Sequence, residues 1–133
     1  MSEEKKIKVV LLEPGKLART AEIGTSIEDL QNAVDGLIEP FYPFEEQVCI
    51  VCNDEGKING MLPNRSVKNK DGVMVDFIFG PAFICDCRGE SFDSLSDEQI
   101  ARYTKMFRYP EHLARVNDTL LGIPYRPQPE RER

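Results

Sequence analysis

The sequence predicts an α+β domain: a mainly antiparallel sheet of five or six strands with two helices packed on one face. Three observations lead there. Short apolar, β-branched runs recur at residues 7–12, 47–53 and 73–87. Turn pairs, Pro14-Gly15 and Asp71-Gly72, punctuate them. Two stretches, beginning near Thr25 and Ser96, switch to helical spacing behind a hydroxyl residue followed three positions later by Glu or Gln.

In order, Ile7 to Leu12 is a first strand apolar on both faces apart from Lys8, and Leu17 to Ile23 alternates less cleanly, as an edge strand does. The Pro-Gly turn joins them in a hairpin. Thr25 and Glu28 have capping-box spacing, Ile27, Leu30 and Val34 share a helical face, and Gly36 supplies a stop, giving a helix over 26–35. Glu28 and Asp29 lie in its first turn, where the helix dipole favours negative charge. Leu37 to Tyr42 is a short strand, and Gln47 to Asn53 has the unbroken apolar pattern of a central one. Asp54 to Gly56 then reverses the chain into a polar loop ending at Pro63-Asn64-Arg65, with a mobile connection over 66–72. Val73 to Phe79 places Val73, Val75, Phe77 and Phe79 on one face, and Ala82 to Cys87 continues beyond Gly80-Pro81. Ser96 and Gln99 start a second helix over 97–108, with Ile100, Tyr103 and Phe107 as its buried stripe. Arg102, Lys105 and Arg108 fall away from that stripe as a solvated face. The segment 1–123 reads as one globular domain, and 124–133, rich in Pro, Arg and Glu, as an extended or disordered tail.

Composition narrows the function classes. With 30% charged residues, no apolar run near the roughly 20 residues of a membrane span, and a start of Met-Ser-Glu-Glu-Lys-Lys unlike a secretory signal, the expectation is a cytoplasmic protein without membrane contact. A net charge of -6 argues against nucleic acid as a partner.

Asp76 is the conspicuous polar group in an apolar run and needs a partner, for which Arg65 is one candidate. An enzyme reading would use Asp76 or Glu39 with His112, the single histidine. Cys49-x-x-Cys52 and Cys85-x-Cys87 invite zinc, but residues three apart on a strand face opposite ways, so the four thiols read as small buried hydrophobes and no metal or cofactor is expected.

Leu12-Glu13-Pro14-Gly15-Lys16, Ile38-Glu39-Pro40-Phe41-Tyr42-Pro43-Phe44, Val51 to Lys57, Pro63-Asn64-Arg65, Asp76 to Gly80 and Ser94 to Ile100, in that order, resemble the phage and mobile-element family of unknown function DUF3846. The resemblance runs from about residue 7 to 107; the cysteines look peculiar to this chain. It implies a small accessory protein and assigns no catalytic residues. The expectation is a non-enzymatic binding module taking a small anionic ligand or a host protein, in the manner of a counter-defence factor. Asn64 and Arg65 would be the donors, with Asn53, Tyr42 and Asp76 nearby. A further reading is an interaction protein that uses an exposed strand edge or the tail, as in a homodimer.

Overall fold

The apolar runs become the middle of a five-stranded sheet. A computed structural model describes residues 5–128. Its strands are β1 (Lys6–Leu12), β2 (Arg19–Gly24), β3 (Ile38–Phe41), β4 (Val48–Asn53), β5 (Pro63–Lys68), β6 (Met74–Phe79), β7 (Ala82–Asp86), β8 (Glu111–Val116) and β9 (Thr119–Pro124). The helices are α1 (Ile27–Val34) and α2 (Asp97–Met106). The main sheet runs β2-β1-β7-β4-β3, antiparallel at every pairing. The late strand β7 is its centre, with Ile84 opposite Val10 on one side and Ile50 on the other. Two ribbons, β5-β6 and β8-β9, complete the strands.

The fold class is the one expected, an antiparallel five-stranded α+β domain. The placing of the helices is not. Alternate residues of β1, β4 and β7 point opposite ways, and both sets are apolar. Ile7, Val9, Cys49, Val51, Phe83 and Cys85 pack with Leu30 and Val34 of α1. Val10, Leu12, Val48, Ile50 and Ile84 pack with Tyr103 and Phe107 from α2 and Val67 and Ile78 from β5-β6. The helices therefore cover opposite faces, because strands apolar on both sides require cover on both sides. Truncating a central residue such as Ile84, wholly buried, would cost about 2–5 kcal/mol.

Local details shift by a residue or two. The α1 cap is Ser26, whose hydroxyl accepts from Asp29 N at 3.1 Å, while Thr25 donates to the Lys5 carbonyl. Ile27 stays largely exposed, and the helix ends at Asp35, which takes the left-handed conformation. The second capping box forms as expected: Ser96 Oγ accepts from Gln99 N, and Gln99 Oε1 accepts from Ser96 N.

Two larger differences matter for function. Pro63-Asn64-Arg65 and the first part of the expected mobile connection are strand, β5, with residues 64–67 buried. The segment 111–124 is a hairpin, β8-β9, and Pro124 is its last residue rather than the start of a tail. Residues 125–128 have no regular structure; residues 1–4, used above in the signal-peptide reading, and tail residues 129–133 lie outside the described residues.

Candidate binding cavity

Between α2, the segment before β4, the β5-β6 turn and the start of β8 lies a cavity of about 710 Å³, the size of a small-molecule site. Its walls include Phe44, Tyr103, Met106 and Phe107. Phe44 stacks at a tilt on Tyr103, with ring centroids 4.7 Å apart, and meets Phe107 edge-on at 6.2 Å. These rings sit here because the helical spacing of Tyr103 and Phe107 turns both towards the sheet, where Phe44 enters from the chain leading into β4.

One carboxylate organises the polar wall. Glu46 accepts hydrogen bonds from Tyr103 Oη, from Arg102 Nη1, and from Gln99 Nε2 at 2.9 Å. Gln99 also closes the α2 capping box, so the helix cap and the cavity wall share a side chain. The Tyr103 hydroxyl, together with Gln99 and the Arg102 charge, holds the Glu46 carboxyl below its ordinary range. Burial, with the Glu46 carboxylate accepting the phenol's hydrogen bond, pushes the Tyr103 hydroxyl well above its usual value. Glu46 is thus a fixed, ionised acceptor at neutral pH. At the rim, Lys70 pairs with Glu45 and Arg102 with Glu98 as well as Glu46, whereas Lys68 makes no ion pair among the described residues. Glu111 closes the far side, accepting from Ser66 N at 3.0 Å.

The residues singled out from the sequence lie elsewhere. Arg65 has no exposed surface. Its Nε donates to the Phe107 carbonyl at 2.8 Å, Nη1 to Asn64 Oδ1 at 2.6 Å and the Glu13 carbonyl at 3.1 Å, and Nη2 to the carbonyls of Lys16 at 2.7 Å and Arg108 at 3.4 Å. Burial lowers its pKa to about 10, which still leaves it charged near neutrality. Asn64 spends its amide hydrogens on the carbonyls of Leu12 and Gly80. Together they stitch the β1-β2 turn to the end of α2, with every guanidinium N–H direction occupied internally. Asn53 is likewise internal: its amide nitrogen donates to the carbonyls of Val34 and Asp35, closing α1, and its oxygen accepts from Glu55 N.

Asp76 pairs with Lys57 at 2.8 Å, not with Arg65. Asp76 and Glu39 line a second cavity, of about 300 Å³, which His112 does not line. His112 instead stacks on Tyr125 with centroids 4.0 Å apart, so the enzyme constellation is not assembled in that cavity. Tyr42 is 63% exposed and lines neither cavity. Cys49 and Cys85 stand directly opposite on β4 and β7, with sulfurs 3.7 Å apart and no exposed surface. Cys52, on the other face of β4, donates to the Glu39 carbonyl. Among the described residues no group of three or more His, Cys, Asp or Glu is arranged to hold a metal.

The cavity was missed in the sequence because Glu46, Lys68 and Tyr103 come from three separate segments. Gln99 was legible only as a cap.

Fold and cavity together define a small antiparallel α+β domain whose concave surface is lined by aromatic rings and an ionised carboxylate. The chain belongs to the family described as domain of unknown function DUF3846, whose family model matches residues 7–108. The match ends at Arg108, whose carbonyl Arg65 holds, and the β8-β9 hairpin lies beyond it. No curated protein and no solved structure matches the chain.

Proposed function

We propose that the chain is a non-enzymatic binding module of a phage or mobile element, whose site is the cavity between Phe44, Lys68 and Tyr103. The ligand is a small molecule with a flat apolar body and an anionic end. The observation that carries this reading is the aromatic floor beside an unpaired Lys68. A flat apolar body displaces water from the accessible faces of Phe44 and Met106, over the buried Tyr103 ring, and the lysine supplies a charge-assisted hydrogen bond. Glu46 supports binding over catalysis: an acceptor of three hydrogen bonds with a lowered pKa is a poor proton donor at neutral pH. In a phage setting, sequestering a host signal of this chemistry would make the module a counter-defence factor.

The test uses 1-anilinonaphthalene-8-sulfonate, an aromatic sulfonate, with fluorescence as the readout. Saturable binding to the folded chain is expected, weakened about tenfold by Lys68→Glu, an exposed substitution that leaves the fold intact. Equal affinity in wild type and Lys68→Glu would remove the site.

A further inference from the structure

The β8-β9 hairpin is an unusual ribbon. None of its residues is buried, and Val116, Leu120, Leu121 and Ile123 are each more than 40% exposed. One face packs on β5: a side chain at Gly122 would meet Ser66 Cβ at 2.9 Å, and Glu111 on that face reaches Ser66 N. A two-stranded ribbon is marginal by itself, and a third strand is what normally secures one.

The free edge has a definite chemistry. The turn is Asn117-Asp118, both at positive φ, with Val116 opposite Thr119. In a two-residue hairpin the pair flanking the turn is hydrogen-bonded, so Thr119, Leu121 and Ile123 bond inward to β8. Tyr125 N donating to the Pro110 carbonyl at 3.0 Å continues that alternation. Leu120, Gly122 and Pro124 therefore turn their main-chain groups outward, where they bond nothing among the described residues. Charged residues usually blunt such an edge, yet Thr119 to Pro124 carries none.

We propose that β9 is a homodimerisation edge, pairing antiparallel with β9 of a second copy about a two-fold axis at Gly122. This register follows from hydrogen-bond parity. Gly122 exchanges N–H and C=O with its symmetry mate, and each Leu120 N–H donates to the Pro124 carbonyl of the second copy. Pro124, lacking an N–H, falls at the end of the ladder, where strands tolerate it. Leu121 then lies opposite Ile123 of the second copy, an apolar cross-strand pair made twice. The same register sets Asp118 opposite Arg126 of the second copy, so both ends of the edge are charge-complementary. Within one chain, Arg126 lies over the Tyr109 ring at 5.7 Å and donates a long 3.4 Å bond to its hydroxyl. It makes no ion pair among the described residues, so a carboxylate outcompetes these contacts. The second copy is favoured over an unrelated strand because an Asp at one end and an Arg at the other, equidistant from Gly122, is a self-complementary pattern.

Sedimentation velocity of the full chain tests this. A species of twice 15.1 kDa is expected at about 100 µM. Asp118→Arg and Arg126→Asp each place like charges at both ends and should raise the dimer Kd about tenfold. The double variant Asp118→Arg with Arg126→Asp should restore it to within about threefold. Arg126→Asp lies beyond the hairpin and leaves the monomer fold alone. Asp118→Arg puts an arginine at positive φ, where aspartate is better tolerated. Circular dichroism therefore checks that each variant stays folded, and Arg126→Asp carries the test by itself if the turn is disturbed. A chain monomeric throughout, single variants that dimerise like wild type, or a double variant as weak as the singles would each overturn the proposal.

Discussion

Replacing Arg65 by lysine keeps the charge and removes the planar fork. The arginine serves four main-chain carbonyls and Asn64 Oδ1 from three nitrogens pointing in different directions. Lysine has a single nitrogen at the end of a four-carbon stem, near where the guanidinium carbon Cζ now lies, and cannot span acceptors fanned around a guanidinium. Not all acceptors suffer equally. The Glu13 carbonyl also receives Lys16 N at 3.2 Å, and the Arg108 carbonyl also receives Ala18 N at 3.0 Å. The Lys16 and Phe107 carbonyls lack that support: for Phe107, Arg65 Nε at 2.8 Å is the contact at stake, and for Lys16, Nη2 at 2.7 Å. Leaving one or both unsatisfied, at about 1–3 kcal/mol each, predicts that Arg65→Lys costs about 3 kcal/mol. Arg65→Met also removes the charge's own burial cost but orphans the same carbonyls, and should destabilise to a similar extent. Equilibrium urea unfolding measures this directly; with a slope of about 2 kcal/mol per molar, the midpoint should fall by about 1.5 M. A loss below about 1 kcal/mol for Arg65→Lys would refute the assignment of Arg65 as the stitch between the β1-β2 turn and α2.

Glu46→Gln should lower stability by about 1 kcal/mol at pH 7, discounted for the partial exposure of the carboxylate. Because the folded pKa of Glu46 lies below its ordinary 4.5, its contribution is present above that value and is lost as pH falls through the folded pKa. Wild type and variant should therefore converge in urea titrations at acid pH, and a gap independent of pH would contradict the ion-pair account. Gly122→Val should destabilise by about 2 kcal/mol in thermal unfolding, since its Cβ falls 2.0 Å from Glu111 Oε1 and 2.9 Å from Ser66 Cβ; an unchanged melting temperature would show that the hairpin is not seated on β5. In the folded chain, Cys49 and Cys85 should resist a disulfide reagent until unfolding. Cys87, pushed to about 11 chiefly by burial, and Cys52, likewise about 11, should react slowly at pH 8 and about tenfold faster per pH unit; rapid labelling at pH 8 would contradict these environments.

The sequence carried the main sheet well because burial on both faces leaves a mark that survives in one dimension. Ile7 to Leu12 and Gln47 to Asn53 read as central strands, and the Ser96-Gln99 spacing marked α2, because these signals are local. The same runs, apolar on alternate residues of both parities, also implied cover on both sides, so the opposed helices were within reach. Strand β5 was not, since Asn64, Arg65 and Ser66 look like a polar loop until the carbonyls of Leu12, Lys16 and Phe107 arrive from distant segments to satisfy them. For the same reason an arginine that looked like a ligand donor proved fully engaged. The β8-β9 hairpin left a signal that went unused: Asn117-Asp118 between Leu113-Ala114-Arg115-Val116 and Thr119 to Ile123 has the residues a tight turn with positive φ prefers. Glu46 gave no such sign, because its three donors all sit on α2, more than fifty residues away in the chain.

The most direct test of the binding cavity is a titration of uniformly ¹⁵N-labelled chain with 1-anilinonaphthalene-8-sulfonate, followed by amide chemical shifts. The account predicts saturable shifts concentrated at Phe44, Glu46, Lys68, Tyr103 and Met106, with Asn53 and Asp76 in the second cavity unmoved. Shifts centred on Asp76 and Lys57, or spread over the β8-β9 face with none at Lys68 or Tyr103, would contradict it.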